Sequence, residues 1–160
     1  MKKQLLISLF SVFFFHNLSS SQIRLPKLIS NNMVLQRDQP IKIWGWASPK
    51  EKITLIFNRK SFRTTTVESG KWEIMLPSQS AGIGFEMVLK GKNEITLQNI
   101  AFGDVWLCSG QSNMVINMER VKERFPEDIA TANYPDIRNF FVPTLTNLNV
   151  PKEDFPQGEW

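Results

Sequence analysis

Short runs of β-forming residues, separated by turn signals roughly every ten residues, occupy the chain from Ile23 to Ala101. In 53–57, and again in 72–76, apolar residues stand at every second position. A period of two indicates strands with one buried face, and turns at this spacing are typical of a β-sandwich or jelly roll. No helical period of any length competes. The sequence therefore predicts a β-sandwich or jelly-roll-like domain over residues 22–101.

The pattern changes at Phe102, where the second part of the chain begins. Residues 105–108 and 137–142 are apolar at consecutive positions, which is typical of strands buried on both faces in a parallel sheet covered by helices. A short helix is predicted between them, at 126–133. This order is the opening of an α/β domain over residues 102–160, a stretch too short for a complete doubly wound sheet.

The N-terminus has the three parts of a secretory signal peptide. Lys2 and Lys3 precede an apolar stretch at 5–15 that is too short to span a bilayer. Ser19 and Ser21 then fit the small residues of a cleavage site. The alternative is a buried N-terminal helix or a membrane anchor. We expect a secreted or periplasmic protein that has no membrane association after cleavage.

Composition restricts the classes of partner. Removing residues 1–21 takes away Lys2 and Lys3 but no acidic residue, which lowers the formal net charge from +4 to about +2. A charge this small does not favour nucleic-acid binding, which needs a clustered basic face. The single cysteine, Cys108, cannot form an internal disulfide. No Cys/His cluster has metal-ligand spacing and there is no glycine-rich phosphate loop, so we expect no cofactor and no metal.

One turn, at 110–114, is of the kind that presents a nucleophile. Hydrolases expose a serine where a strand runs into a helix, so that backbone N–H groups face the developing oxyanion. Gly110 permits unusual dihedral angles there, and Gln111 and Asn113 flank Ser112. Met114 stands where the second glycine of G-x-S-x-G would be, so the α/β-hydrolase elbow is not matched. The alternative is an ordinary polar turn in which Ser112 caps a helix.

The longer string GDVWLCSGQSNM at 103–114 closely resembles the nucleophile block of the sialate O-acetylesterase family, in the SGNH-hydrolase superfamily. Upstream, NMVLQR at 32–37 and IWG at 43–45 are similar to the start of that family's N-terminal β-domain. Downstream, PDIR at 135–138 and FFV at 140–142 are similar to its second α/β strand. The resemblance covers nearly the whole chain after the signal peptide, and it implies a flavodoxin-like SGNH domain after the β-domain.

The resemblance implies roles for the turn. Ser112 would be the nucleophile and its N–H an oxyanion donor, with Gly110, Gln111 and Asn113 supporting the turn. The substrate would be an O-acetyl ester of sialic acid or another acetylated sugar, and no cofactor would be needed. The family's further oxyanion donors, its base histidine and a nearby aspartate lie in later sequence blocks that these 160 residues do not contain, and the sole histidine is His16. We therefore expect an inactive fragment: a truncated gene, a partial prediction or half of a split enzyme.

The runner-up function is non-catalytic. The β-domain would then be a carbohydrate-binding or docking module, with the α/β segment as a remnant. This function is favoured if Trp44, Trp46 and Trp72 are exposed in a row, and disfavoured if they pack in the core, which the sequence favours. The sugar, the ester position and the oligomeric state are left open by the sequence.

Three further side chains have two interpretations each. Cys108 is either a thiol nucleophile or, as we favour, a buried strand residue. Asp104 is either a catalytic acid or, as we favour, the start of a strand or a cap. Arg138 either reaches a substrate carboxylate or, as we favour, forms a surface or interdomain ion pair.

Overall fold

The computed structural model describes residues 22–142 and 150–160. The predicted signal peptide, with His16, lies outside the described residues. The described chain begins with strands and continues into a region of short helical turns. Its strands are β1 (Val34–Gln36), β2 (Ile41–Trp46), β3 (Lys52–Phe57), β4 (Lys60–Thr65), β5 (Lys71–Leu76), β6 (Gly82–Lys90) and β7 (Glu94–Gly103).

The strands form two sheets. Five strands are ordered β1-β7-β6-β3-β4, and β2 pairs with β5 in a separate two-stranded sheet. Only the pairing of β1 with β7 is parallel among them. The β3–β4 hairpin has a two-residue loop, Asn58 and Arg59, both with positive φ (48° and 61°). Positive φ at both loop residues is what a type I′ hairpin turn requires, because its twist matches that of the flanking strands.

The alternation read from the sequence determines which side chains form the core. Ile53 and Leu55 of β3 are fully buried, and Ile43 of β2 and Trp72 of β5 join the same cluster. Full burial of such a side chain contributes about 1.5–3 kcal/mol relative to exposure. The prediction of a mostly β region with one buried face in each of these strands is confirmed, and one core joins both sheets.

After β7 the chain has no strand in the described residues 104–142. It forms two 3₁₀ turns, Ser112–Val115 and Met118–Val121, and one helix, α1 (Pro126–Thr131). The predicted helix at 126–133 is confirmed, with a proline in its first turn, where a missing N–H costs nothing.

The strand predictions at 105–108 and 137–142 are wrong. Trp106, Leu107 and Ile137 are 83%, 91% and 74% exposed. A strand buried on both faces needs neighbouring strands for its backbone groups and a covering layer on each side. The described residues supply neither around these two stretches. The two stretches therefore form no strand ladder, and most of their apolar side chains remain exposed.

The chain then returns to the β-domain. The Lys27 N–H donates to Asp154 Oδ1 at 2.9 Å, and the Trp160 indole N–H donates to the Leu28 carbonyl at 2.9 Å. Phe140 packs against the rings of Phe155 and Trp160, with centroids 5.7 and 5.4 Å away. No helix in residues 22–142 or 150–160 is both long and apolar enough to cross a membrane.

Candidate functional site

Ser112 lies at the first position of the 3₁₀ turn Ser112–Val115. Gly110 precedes it with φ +151°, where a side chain would be strained and a Cβ would lie 3.1 Å from Met114 Cγ. Gln111 is extended, and its carbonyl accepts from the Met114 N–H at 2.9 Å. The turn is therefore closed by backbone bonding and requires glycine at its start.

The hydroxyl of Ser112 projects from an exposed part of this turn. Among the described residues, no group makes a hydrogen bond with Ser112 Oγ, and the backbone N–H groups of Ser112 and Asn113 have no protein acceptor. An approaching carbonyl group would thus meet a free hydroxyl and free donors. A serine hydroxyl without an adjacent base is a weak nucleophile, however.

The surroundings of this turn differ from the expected strand-to-helix junction. β7 ends at Gly103, and an exposed non-strand stretch separates it from Ser112. The glycine and the helical start agree with the expected turn, whereas the strand before it is absent. The roles assigned to Ser112, Gly110, Gln111 and Asn113 stay predictions.

Activating groups are missing around the serine. Residues 22–160 contain no histidine. In the described part of the chain, no three His, Cys, Asp or Glu side chains come together in a group that could hold a metal ion. Proton transfer by a positioned base contributes about 10²–10⁴-fold to such reactions, so this arrangement lacks a major contribution to rate.

Asp104 forms an ion pair at the point where the chain leaves β7. Arg37 Nε lies 2.9 Å from Asp104 Oδ1, and the Val105 N–H donates to Gln36 Oε1 at 3.0 Å. The hydrogen bond from Arg37 holds the pKa of Asp104 below its ordinary value of 3.8. Asp104 is therefore ionised at neutral pH, and its ion pair anchors the start of the segment after β7. An ionised carboxylate has no proton to donate, so Asp104 is unsuited to act as a general acid.

Arg138 binds backbone and amide oxygens of the β-domain and forms no ion pair with a described residue. Its Nη1 donates to the carbonyls of Asn32, at 2.9 Å, and of Asn99, and its Nη2 donates to Asn99 Oδ1 at 3.1 Å. Both asparagines have positive φ, a conformation that asparagine tolerates better than most residues. The ion-pair prediction is wrong: Arg138 fastens the second part of the chain to carbonyl groups of the β-domain, which no side-chain pattern in the sequence reveals.

Of the remaining candidates, Cys108 differs from expectation, whereas Trp72 packs in the core as expected. Cys108 is exposed, so the prediction of burial is wrong, because the strand that was to bury it does not form. Trp72 is 4% exposed, whereas Trp44 and Trp46 are half-buried and point to the opposite face of the β2–β5 sheet. The row of three exposed tryptophans is not formed.

Comparison with known proteins gives a consistent picture. The sialate O-acetylesterase of Mus musculus is 32% identical to this chain over 131 residues, which are 74% of this chain and 24% of the mouse protein. The human sialate O-acetylesterase is 30% identical over 127 residues, 72% of this chain and 24% of that protein. The chain is homologous to the sialate O-acetylesterases. The resemblance read from its motifs is thereby confirmed.

The fold has a solved counterpart. The crystal structure of a carbohydrate acetylesterase from Xanthomonas citri matches with a TM-score of 0.80 and 33% sequence identity, over 87% of this chain and 32% of that one. No family model matches the sequence. The chain spans about a quarter of the length of the curated relatives that it matches.

Proposed function

We propose that this chain is the part of a carbohydrate O-acetylesterase that carries the nucleophile, Ser112. The observation that carries the proposal is the exposed, unpartnered hydroxyl of Ser112 on a glycine-dependent turn. Homology to sialate O-acetylesterases, and likeness to a carbohydrate acetylesterase, support an ester of an acetylated sugar, such as sialic acid, as the substrate class.

The proposed reaction proceeds in two steps. Ser112 Oγ attacks the acetyl carbonyl while a base takes its proton, and the Ser112 N–H donates to the oxyanion. The C–O bond to the sugar then breaks, and the proton passes to the released sugar hydroxyl. Water, deprotonated by the same base, hydrolyses the acetyl-serine to acetate and free serine. Neither step requires a metal or an organic cofactor.

We expect the base to come from outside residues 22–160, since these contain no histidine, the side chain that most often serves as a general base. Removing one member of a catalytic triad leaves only the contributions of the oxyanion donors and of binding. We therefore expect the 160-residue chain alone to be essentially inactive.

The finer fold and the location are part of the same proposal. We assign a jelly-roll-like β-domain and the first part of an SGNH-type α/β domain. The high exposure of Trp106 and Leu107 supports this, because a soluble protein usually covers such apolar side chains with another part of its structure. The charged, apolar and small-residue segments of the first 21 residues support secretion.

The runner-up function, a non-catalytic carbohydrate-binding module, loses the support of a three-tryptophan row because Trp72 packs in the core.

A chimera tests the nucleophile. The matching segment of the Xanthomonas citri carbohydrate acetylesterase is replaced by this chain, and acetate release from p-nitrophenyl acetate and from O-acetylated sialic acid is measured. We expect turnover by the chimera, and a loss of at least about 10³-fold in the Ser112→Ala chimera, because the acyl-accepting oxygen is gone.

The matched control is Ser109→Ala in the same exposed stretch, which should stay within about twofold of the parent chimera. The full chain alone should release acetate no faster than buffer does. Activity of the Ser112→Ala chimera equal to its parent would contradict the assignment of the nucleophile. Activity of the full chain alone that disappears in Ser112→Ala would contradict the need for an external base.

A further inference from the structure

An open groove of about 560 Å³ lies where the edge strand β4 approaches β5. Its volume is in the range of about 300–1,000 Å³ that is usual for small-molecule sites. It is separate from the Ser112 turn, since none of its lining residues belongs to 104–142. The lining residues come from β2, β4, β5, the β4–β5 turn and the returning C-terminal segment: Lys42, Trp44, Thr64, Thr65, Val67, Lys71, Trp72, Glu73 and Glu153.

An aromatic side chain of fixed orientation forms part of the wall. Trp44 is half-buried and packs edge-to-face on Trp46, with centroids 5.1 Å apart and planes at 69°. The Arg24 guanidinium lies 3.7 Å above the Trp46 ring, and Arg24 Nη1 lies 3.6 Å from Asp154 Oδ2. The Trp44 indole is thus held by its contacts with Trp46 and with the core cluster, which lowers the entropy lost when a ligand stacks on it.

The polar side chains of the groove balance in charge. Lys42 Nζ lies 3.7 Å from Glu73 Oε2, and Lys71 forms an ion pair with Glu153. The hydrogen bond from Lys71 holds the pKa of Glu153 below its ordinary value, so this carboxylate is ionised at neutral pH. Two cations and two anions leave the groove with no net formal charge, and each group remains at least half exposed. The walls therefore present charged donors and acceptors without attracting either sign of ion.

We propose that this groove is a binding site for a neutral saccharide, with the apolar face of a pyranose ring stacked on Trp44. The sugar hydroxyls would donate to Glu73 and accept from Lys42, and charge-assisted hydrogen bonds of this kind are about twice as strong as neutral ones. Thr64 and Thr65 of β4 also line the groove, and Thr65 is the exposed one of the two. The balance of charge argues against a polyanion such as a nucleic acid or a sulfated glycan. A purely apolar ligand would strip water from four charged groups without compensation.

This site is independent of the proposed ester hydrolysis, because it uses no residue of the Ser112 turn. It would hold a polysaccharide chain on the β-domain whether or not chemistry takes place on that chain. Because the groove is open and shallow, we expect weak, saturable binding in the millimolar range, on the order of that given by one stacked ring and a few hydrogen bonds.

Isothermal titration calorimetry of the full chain with cellotetraose, xylotetraose and a heparin-derived hexasaccharide tests the proposal. We expect saturable heat with at least one of the neutral tetrasaccharides and none with the heparin fragment. Trp44→Ala should weaken binding at least tenfold. Trp106→Ala, which removes an exposed tryptophan outside the groove, should leave the Kd within twofold, and so should Ser112→Ala.

Thr65→Val gives a second variant if Trp44→Ala does not fold, since Thr65 is exposed and the two side chains have the same shape. It should weaken binding about threefold through the lost hydroxyl. The proposal is overturned by an absence of saturable heat with both neutral tetrasaccharides, by tighter binding of the heparin fragment, or by equal effects of Trp44→Ala and Trp106→Ala. Loss of binding in Ser112→Ala would assign the sugar to the serine turn instead, whereas inactivity of the chimera with intact groove binding would count only against the esterase.

Discussion

The β-domain (residues 22–103) and the segment that follows it (104–142) use the same apolar residue types in opposite environments. Leu55 and Trp72 are 0% and 4% exposed, whereas Leu107 and Trp106 are 91% and 83% exposed. The difference arises from strand pairing, since every strand of the β-domain is hydrogen-bonded to a neighbouring strand, whereas the described residues 104–142 form no strand. Hydrophobicity alone therefore does not bury a side chain; a neighbour that satisfies the backbone has to be present first.

A matched pair of leucines should give the largest effect. Leu55→Ala leaves a cavity in the core and should lower the free energy of unfolding by about 2–5 kcal/mol. Leu107→Ala removes a side chain that touches little and should change it by less than about 0.5 kcal/mol. Urea unfolding of the full chain, followed by circular dichroism, measures both. A large loss of unfolding free energy with Leu107→Ala would mean that the 104–142 segment is packed in solution. It would contradict the contrast drawn between this segment and the β-domain.

A smaller effect should come from the arginine that fastens the two regions together. Arg138→Ala removes the hydrogen bonds to Asn32 and Asn99, and a hydrogen bond to a charged group contributes about 1.5–3 kcal/mol at most, less where water competes. We expect faster amide exchange and faster proteolytic cleavage in 126–142, while strands β3 and β5 keep their protection.

Arg63→Ala is the control for this prediction. Arg63 is an exposed arginine on β4, and its side chain makes no hydrogen bond or ion pair with a described residue. Unchanged exchange in 126–142 after Arg138→Ala would show that the segment is held by its aromatic contacts instead. Equal effects of the two variants would show that the loss of positive charge, rather than the contact, is responsible.

The smallest effect should come from the ion pair at the boundary of the regions. Because Arg37 lowers the folded-state pKa of Asp104, the pair stabilises the fold above the ordinary pKa of 3.8 and ceases to do so as the pH falls through the lowered value. The difference in Tm between wild type and Asp104→Asn should therefore be small and positive at pH 6, and should vanish in strong acid.

Salt should reduce this difference, since the pair is exposed and screened. Asp136→Asn is the control, because Asp136 is exposed and no ion pair or hydrogen bond from its side chain is described. At pH 6 it should change the Tm by less than Asp104→Asn does. A difference for Asp104→Asn that persists unchanged at pH 2.5 would argue against the ion pair.

The sequence predicts the β-domain well because its signals are local. Alternation in 53–57 and 72–76 decides the facing of the strands, and Asn58 provides a positive-φ turn residue. The predictions of strands at 105–108 and 137–142 were wrong because a strand buried on both faces depends on its neighbouring strands. The periodicity of apolar residues does not show whether such neighbours are present.

The site shows the same division between local and non-local information. The glycine-dependent turn before Ser112 follows from residues adjacent in the chain. The Arg138 contacts join positions far apart in sequence, at Asn32 and Asn99, and the groove beside Trp44 joins two sheets and the C-terminal segment. Neither leaves a pattern in a single sequence, because both depend on how distant elements meet.

The return of the chain to the β-domain affects how freely the length of the intervening stretch can vary. The excursion is fixed where it leaves, by the Arg37–Asp104 pair, and where it comes back, by Arg138 and by the Trp160 indole on Leu28. A loop with both ends fixed pays for extra residues only logarithmically, about 0.6 kcal/mol for each doubling of its length. Outside the Ser112 turn, the stretch between these anchors is thus a place where the β-domain fold should tolerate insertions and deletions.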